Sequence, residues 1–221
     1  SMLEKSGVIE EVFDVAYKWL GRIPGGLAVA TVVASTVLAA MVGVIGAAVV
    51  TMALVALPSM LRRGYSPVLA VGTVMAGGTL GILIPPSVLA IVYGLVANQS
   101  VGELYLGSVF PGLVLSGLYI LFSVGYALLN PKAAPRLSPE ETPTWSERWR
   151  ALRSIWSPLV LIFLVLGTIF LGLAAPTEAA AIGAFGAMVV AAIHRRLSWT
   201  ILRLALEQTA KATAMVMWIV F

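Results

Sequence analysis

The sequence predicts an all-α polytopic membrane protein with an ion-transporter-like fold, built around a re-entrant hairpin and a broken helix. Three observations lead there. Hydrophobic residues fill 60% of the 221 positions and charged residues 11%, whereas a soluble domain carries about a quarter charged. Several uncharged stretches exceed the roughly 20 residues that a helix needs to cross a bilayer. One of these, 68–96, holds Gly77, Gly78 and Gly81 and then Pro85-Pro86 in its middle, the residues that most weaken a helix interior. In lipid such a break is tolerated only where the freed N–H and C=O groups meet protein, water or ions. A proline kink that merely shapes packing is the plainer alternative.

Composition excludes other classes. There is no cysteine, so disulfides and thiolate metal sites are ruled out. The formal charge of +4 reads as topology signal rather than a nucleic-acid footprint, because the basic residues cluster between apolar spans.

Residues 1–22 read as an amphipathic interfacial arm helix. Leu3, Val8, Val12, Val15 and Trp19 fall near one face, against Glu4, Glu10, Glu11, Asp14 and Lys18. A helix packed on a partner would show the same pattern. Arg22, Pro24 and Gly25-Gly26 end it. The uncharged stretch that follows, within 23–63, would span about 58 Å as one helix, nearly twice the ~30 Å hydrocarbon core. A re-entrant hairpin turning at Gly43-Val44-Ile45-Gly46 and closed by Pro58 and Arg62-Arg63 fits this length best. Two ordinary crossings would also fit.

Residues 64–96 form the discontinuous transmembrane helix, and the 97–103 loop beyond it has no Lys or Arg. Within 97–130, Leu104–Leu129 makes the next span, with Pro111-Gly112 near its start. Residues 131–154 are a polar cytoplasmic loop whose prolines, Pro131, Pro135, Pro139 and Pro143, disfavour helix in its first half; Trp145–Arg153 looks interfacial. Two spans, Ile155–Leu173 and Ala179–Ile193, fill 155–196. Residues 197–221 read as a second amphipathic arm, 197–213, followed by an apolar run. That sequence of parts, repeating 1–22 and the start of the hairpin, makes the chain the first part of an inverted repeat. It also suggests a fragment of a longer protein. With Lys18 and Arg22 in the cytoplasm, Arg62-Arg63, the 132–153 loop, His194-Arg195-Arg196 and Arg203 all return to that side, as the positive-inside rule requires.

Four stretches carry a family resemblance: Gly26–Thr31, Leu57–Tyr65 with its Pro58-Ser59, Ala76–Ser87 ending in Pro85-Pro86-Ser87, and Pro176–Ala181. In this order, and across essentially the whole chain, they resemble the large membrane subunit of tripartite ATP-independent periplasmic (TRAP) transporters. The resemblance implies an internal part of that subunit, lacking the first membrane helices and most of the second half. It implies a sodium-driven importer of organic acids in a bacterial or archaeal inner membrane. A periplasmic substrate-binding protein and a small membrane subunit would be its partners, and a transport domain would move against a scaffold like an elevator. The hairpin and broken span would belong to that moving domain.

The residues themselves point to cation chemistry. No charged side chain lies between Arg63 and Glu103, so helix N-termini and bound cations would have to offset an anionic substrate. Carbonyls freed at Gly77, Gly78, Thr79, Leu80 and Gly81, and at Gly43 and Gly46, could supply the hard oxygen ligands that sodium needs. The Thr73, Thr79 and Ser87 hydroxyls could complete the shell, with Thr79 and Gly81 the leading sodium ligands and Pro85-Pro86 the cause of the break. Many relatives carry serines at the hairpin turn, where this chain has Gly43-Val44-Ile45-Gly46. Thr177 and Glu178 form a second candidate pair; Glu178, the lone acid of the 154–194 region, invites a proton-coupling reading, although it better suits a helix start, where the dipole favours an acid. His194 reads as interfacial.

No organic cofactor and no nucleic-acid partner are expected. An intramembrane enzyme would need a nucleophile or metal ligands at depth, and the spans hold no Cys, Asp or His there. The alternatives are a sodium/dicarboxylate symporter without a binding protein, an ion channel, or a structural subunit, in which a central break would have no use. The organic acid itself is not written in these residues.

Overall fold

A computed structural model describes residues 8–43, 45–135, 144–153, 155–194 and 197–220. Among these residues the chain is helical, in ten helices: α1 Val8–Leu20, α2 Gly26–Val42, α3 Ile45–Arg62, α4 Pro67–Leu83, α5 Val88–Ala97, α6 Val101–Leu129, α7 Trp145–Leu152, α8 Trp156–Phe170, α9 Pro176–Ile193 and α10 Trp199–Val220. Length and composition let α3, the α4–α5 pair, α6 and α9 each cross a membrane. The protein is therefore a polytopic all-α membrane protein, as the apolar stretches predict. The expectations for Leu3, Glu4, Val44, Arg195 and Arg196, and for Pro139 and Pro143, lie outside the described residues.

The core is the α2–α3 hairpin packed on α4. Side-chain size decides how close these helices come. A Cβ on Gly77 would fall onto Ser35 of α2, and one on Gly78 onto Val49 of α3. Two adjacent glycines thus let α4 sit against both hairpin helices, the small-residue route by which membrane helices approach. Ala28, Ala30, Ala39, Ala48, Ala56 and Ala70 are fully or almost fully buried along the same seams.

Basic segments gather at one end, around α1. Trp19 Nε1 donates to the Arg148 carbonyl at 3.3 Å, the Arg63 guanidinium lies 4.7 Å from the centre of the Tyr17 ring, and His194 Nε2 is 3.7 Å from a Glu11 carboxylate oxygen. Ser66 N–H donates to the Ala133 carbonyl at 2.9 Å. The side-by-side placement of these loops is what the charge map requires. The apolar face of α1 is not left to lipid: Val8, Ile9, Val12, Phe13, Val15 and Ala16 are all buried within the protein. The Tyr65 hydroxyl, at the same end, accepts the Leu27 N–H at 3.2 Å and so pins the hairpin's entry. Burial pushes this phenol above its ordinary value, which keeps it protonated at any physiological pH.

Four boundaries differ from the sequence reading. The helix runs through Pro58 for another turn, to Arg62, because the missing N–H and the ring affect only one hydrogen bond near a helix end. The 97–103 loop shrinks to Asn98–Ser100: Asn98 ends α5 in the left-handed region, and the Ser100 hydroxyl accepts the Glu103 N–H at 3.4 Å to start α6. Ser-x-x-Glu at 100–103 is a helix-start signature that hydropathy alone hides. The span expected at Ile155–Leu173 is helical only over Trp156–Phe170. Finally, α10 continues unbroken through the amphipathic stretch and the apolar run. At 21–26 a glycine-proline cluster separates α1 from α2; nothing comparable interrupts 209–218.

Candidate functional site

The break lies later than the glycines suggest. Gly77, Gly78, Thr79, Leu80 and Gly81 are all inside α4, whose helix continues to Leu83. Irregular backbone covers only Ile84–Ser87. The cause is the proline pair. Pro85 and Pro86 have no N–H, so the Gly81 and Ile82 carbonyls lose the donors four residues ahead, while the Leu80 carbonyl keeps the Ile84 N–H at 2.9 Å. Of the proposed carbonyl donors, Gly81 is thus freed by the prolines, and Gly77 and Gly78 have the packing role described above.

The hairpin turn reaches this break. Gly43 ends α2 at φ 66°, a left-handed conformation that favours glycine. A Cβ there would collide with the Pro86 carbonyl oxygen and would lie 3.7 Å from Ser87 Cα. Turn and break are therefore in backbone-to-backbone contact. Two helices start beside the contact, α3 at Ile45 and α5 at Val88. The first N–H groups of each have no acceptor within their helix and carry the positive end of its dipole. One junction thus brings together carbonyls without intrahelical donors and amides without intrahelical acceptors.

Ser87 precedes α5 and is 1% exposed. Its hydroxyl caps nothing and has no hydrogen-bond partner, which is costly for a buried hydroxyl. Its carbonyl accepts from the Tyr105 hydroxyl of α6 at 3.3 Å. Ser35, fully buried on α2 against Gly77, also has an unpartnered hydroxyl. Neither Tyr105 nor Ser35 stands out in the sequence. A tyrosine inside an apolar span is the one available signal, since its hydroxyl needs a partner there.

The remaining candidates sit elsewhere. Thr79 is exposed, two residues and about 200° around the helix from Gly81, and its hydroxyl bonds the Ala76 carbonyl at 2.7 Å and pairs with the Tyr119 hydroxyl at 3.2 Å. Thr73 is buried and donates to the Leu69 carbonyl at 2.7 Å. Gly46 lies within α3, one residue past its start, with no atom near its would-be Cβ. Thr177 and Glu178 are exposed on the first turn of α9, where a Glu178 carboxylate oxygen accepts the Ala175 N–H at 2.9 Å. That bond is the helix-start role an acid has at this position.

Among the described residues, no three His, Cys, Asp or Glu side chains group to hold a metal. Any cation at the junction would be held by carbonyls and hydroxyls, the ligand type of hard ions. A cavity of about 500 Å³ adjoins it, running from Met41 and Pro86 past Tyr105 to Leu161, Ala180 and Leu206 of α8, α9 and α10.

Around this cavity α8, α9 and α10 share a buried apolar cluster with α1 through Leu161, Ala187, Val190, Ala191 and Ala205. By contrast, α6 is bonded directly to the hairpin and the broken helix: Thr36 and Ser116 hydroxyls pair at 2.7 Å, and a Cβ on Gly112 would press on Ile84.

Comparison with known proteins gives this junction a family. All of residues 1–221 match the family described as the tripartite ATP-independent periplasmic transporter, DctM component. A C4-dicarboxylate TRAP transporter large permease protein of Pseudomonas aeruginosa is 36% identical over 100% of this chain and 51% of its own length. The protein of that description from Vibrio cholerae is 36% identical over 86% of the chain and 41% of its length. An ectoine TRAP transporter large permease of Halomonas elongata is 32% identical over 77% of the chain and 39% of its length. The chain spans about half the length of the curated relatives it matches. These relatives are named as permeases rather than enzymes, and the chain belongs with them to the DctM component, the large permease family of TRAP transporters.

Proposed function

We propose that this chain supplies one half of the transport site of a sodium-coupled importer of organic acids. The observation that carries the reading is the contact between Gly43 and the Pro86 carbonyl, which brings the hairpin turn onto the break in the α4–α5 span. Sodium is cargo here. The Gly81 and Ile82 carbonyls and the Ser87 hydroxyl are its oxygen donors, and the α3 and α5 N-termini attract the carboxylate of the substrate. C4-dicarboxylates are the first substrates to try, because two of the relatives are named for them. A relative named for ectoine shows that family alone does not choose the substrate.

Movement follows the packing. The hairpin, broken helix and α6 travel as one unit, and α8 and α9 belong to the scaffold across the cavity. A periplasmic binding protein delivers the substrate, a small TRAP subunit accompanies the permease, and the bilayer is a bacterial or archaeal inner membrane.

The test is uptake by the whole permease, with its small subunit and binding protein, in proteoliposomes under a sodium gradient. Gly43→Val forces a branched side chain into a left-handed turn and onto a carbonyl, and sodium-driven uptake falls by about a hundredfold while membrane insertion is kept. Unchanged uptake in correctly inserted protein rejects the site. Uptake without a binding protein, or passive sodium current, would favour the simple symporter or the channel instead.

A further inference from the structure

We propose that the junction of α1 and α7 binds the phosphate of an anionic phospholipid in the leaflet on the basic side of the protein. The centre of the site is Arg148. Its side chain is 8% exposed, and its Nε has no hydrogen-bond partner. The guanidinium lies over the Trp145 ring, 5.5 Å from its centre, and the Arg148 carbonyl is held by Trp19 Nε1 of α1 at 3.3 Å. Trp19, Trp145 and Trp149 form one aromatic cluster, with centroids 5.7, 5.9 and 6.5 Å apart.

A guanidinium so buried is costly unless an acceptor completes it. None of the acids on α1 and α7 reaches it: a Glu147 oxygen accepts the Thr144 N–H at 2.8 Å, Asp14 pairs with Lys18 at 2.6 Å, and the buried Glu11 Oε2 lies 3.7 Å from His194 without a hydrogen-bond partner of its own. Among the described residues Arg148 has no carboxylate partner, while Arg150 on the same short helix and Arg153 just past its end add positive charge. The acceptor that fits is a phosphate oxygen, which a guanidinium binds with its fork of donors.

The aromatic cluster says that the phosphate arrives on a lipid. Trp145 and Trp149 are 62% and 57% exposed, and exposed indoles beside basic residues at a span end belong at headgroup depth. Basic juxtamembrane surfaces favour anionic lipids by about a fivefold affinity per charge. A soluble phosphate ion would leave both indoles with nothing to cover them.

The experiment is quenching of tryptophan fluorescence by brominated lipids, with the permease reconstituted in bilayers of mixed phosphatidylglycerol and phosphatidylcholine. Brominated phosphatidylglycerol is expected to quench at about fivefold lower mole fraction than brominated phosphatidylcholine. Arg148→Gln brings the two lipids to parity, and Arg148→Lys restores part of the preference. Trp145→Leu removes the stacking ring and also weakens the preference, which keeps a readout should Arg148→Gln fail to insert. Three results overturn the proposal: an unchanged ratio in Arg148→Gln, an equal loss in the control Arg203→Gln, an exposed arginine paired with Glu207 outside the site, or abolition of the preference by millimolar inorganic phosphate. The second would mean diffuse surface charge, and the third a free-phosphate site.

Discussion

The hairpin bundle and the α8–α9 pair are equally apolar in sequence, yet they are built in opposite ways. In α2, 11 of 17 residues are buried; in α8, 3 of 15 are. Glycine explains much of the gap. Gly78 meets Val49 down to its backbone and Gly77 meets the short Ser35 side chain at its Cβ, whereas Gly167 has nothing near it and Gly186 faces only the tip of Leu161. Apolar composition puts a helix in the membrane. Small residues aligned on one face decide whether its neighbour there is protein.

Substitution can test that contrast. The largest effect is expected for Gly78→Leu, which drives a full side chain into Val49 and its backbone; the hairpin should separate from α4 at a cost of ~3 kcal/mol or more, read as loss of the folded protein in a detergent-melting assay. A smaller change is expected for Thr36→Val, which removes the bond to Ser116 and leaves a hydroxyl unmatched on α6. About 1 kcal/mol should be lost, and the Thr36→Val/Ser116→Ala pair should lose less than the two single changes added. The smallest belongs to Gly186→Ala in α9, where the Leu161 tip can swing aside and alanine gains helix propensity, so stability should stay within ~1 kcal/mol of the parent. If Gly186→Ala proves as damaging as Gly78→Leu, the two regions are equally tight and the contrast fails.

The same comparison shows why the site was only partly legible. Pro85-Pro86 marks a break in any apolar run, and the Lys/Arg map separates one end of the protein from the other. But Gly77 and Gly81 look alike in sequence. Only the position of α2 and α3 gives Gly77 to packing, and only the proline pair four residues ahead frees the Gly81 carbonyl. Thr79 was attractive for its hydroxyl, and helix phase turned it toward Tyr119. Ser35 gave no local signal, and Tyr105 only that of a hydroxyl inside an apolar span, because their significance comes from segments 42 and 18 residues away in the chain, at Gly77 and Ser87.

What the sequence determined by itself was everything set by composition and short range: membrane residence, the long apolar stretches, the shared end of the basic clusters, and the interruption of the 68–96 run at Pro85-Pro86. Those follow from the cost of placing charge and unpaired backbone in hydrocarbon. Tertiary structure decided that Gly43 lies against Pro86, that α1 buries its apolar face on its own protein, and that Arg148 Nε is buried without a hydrogen-bond partner. Each depends on which helices come together, and that choice is made by side-chain shape summed over whole faces, which no short stretch of sequence contains.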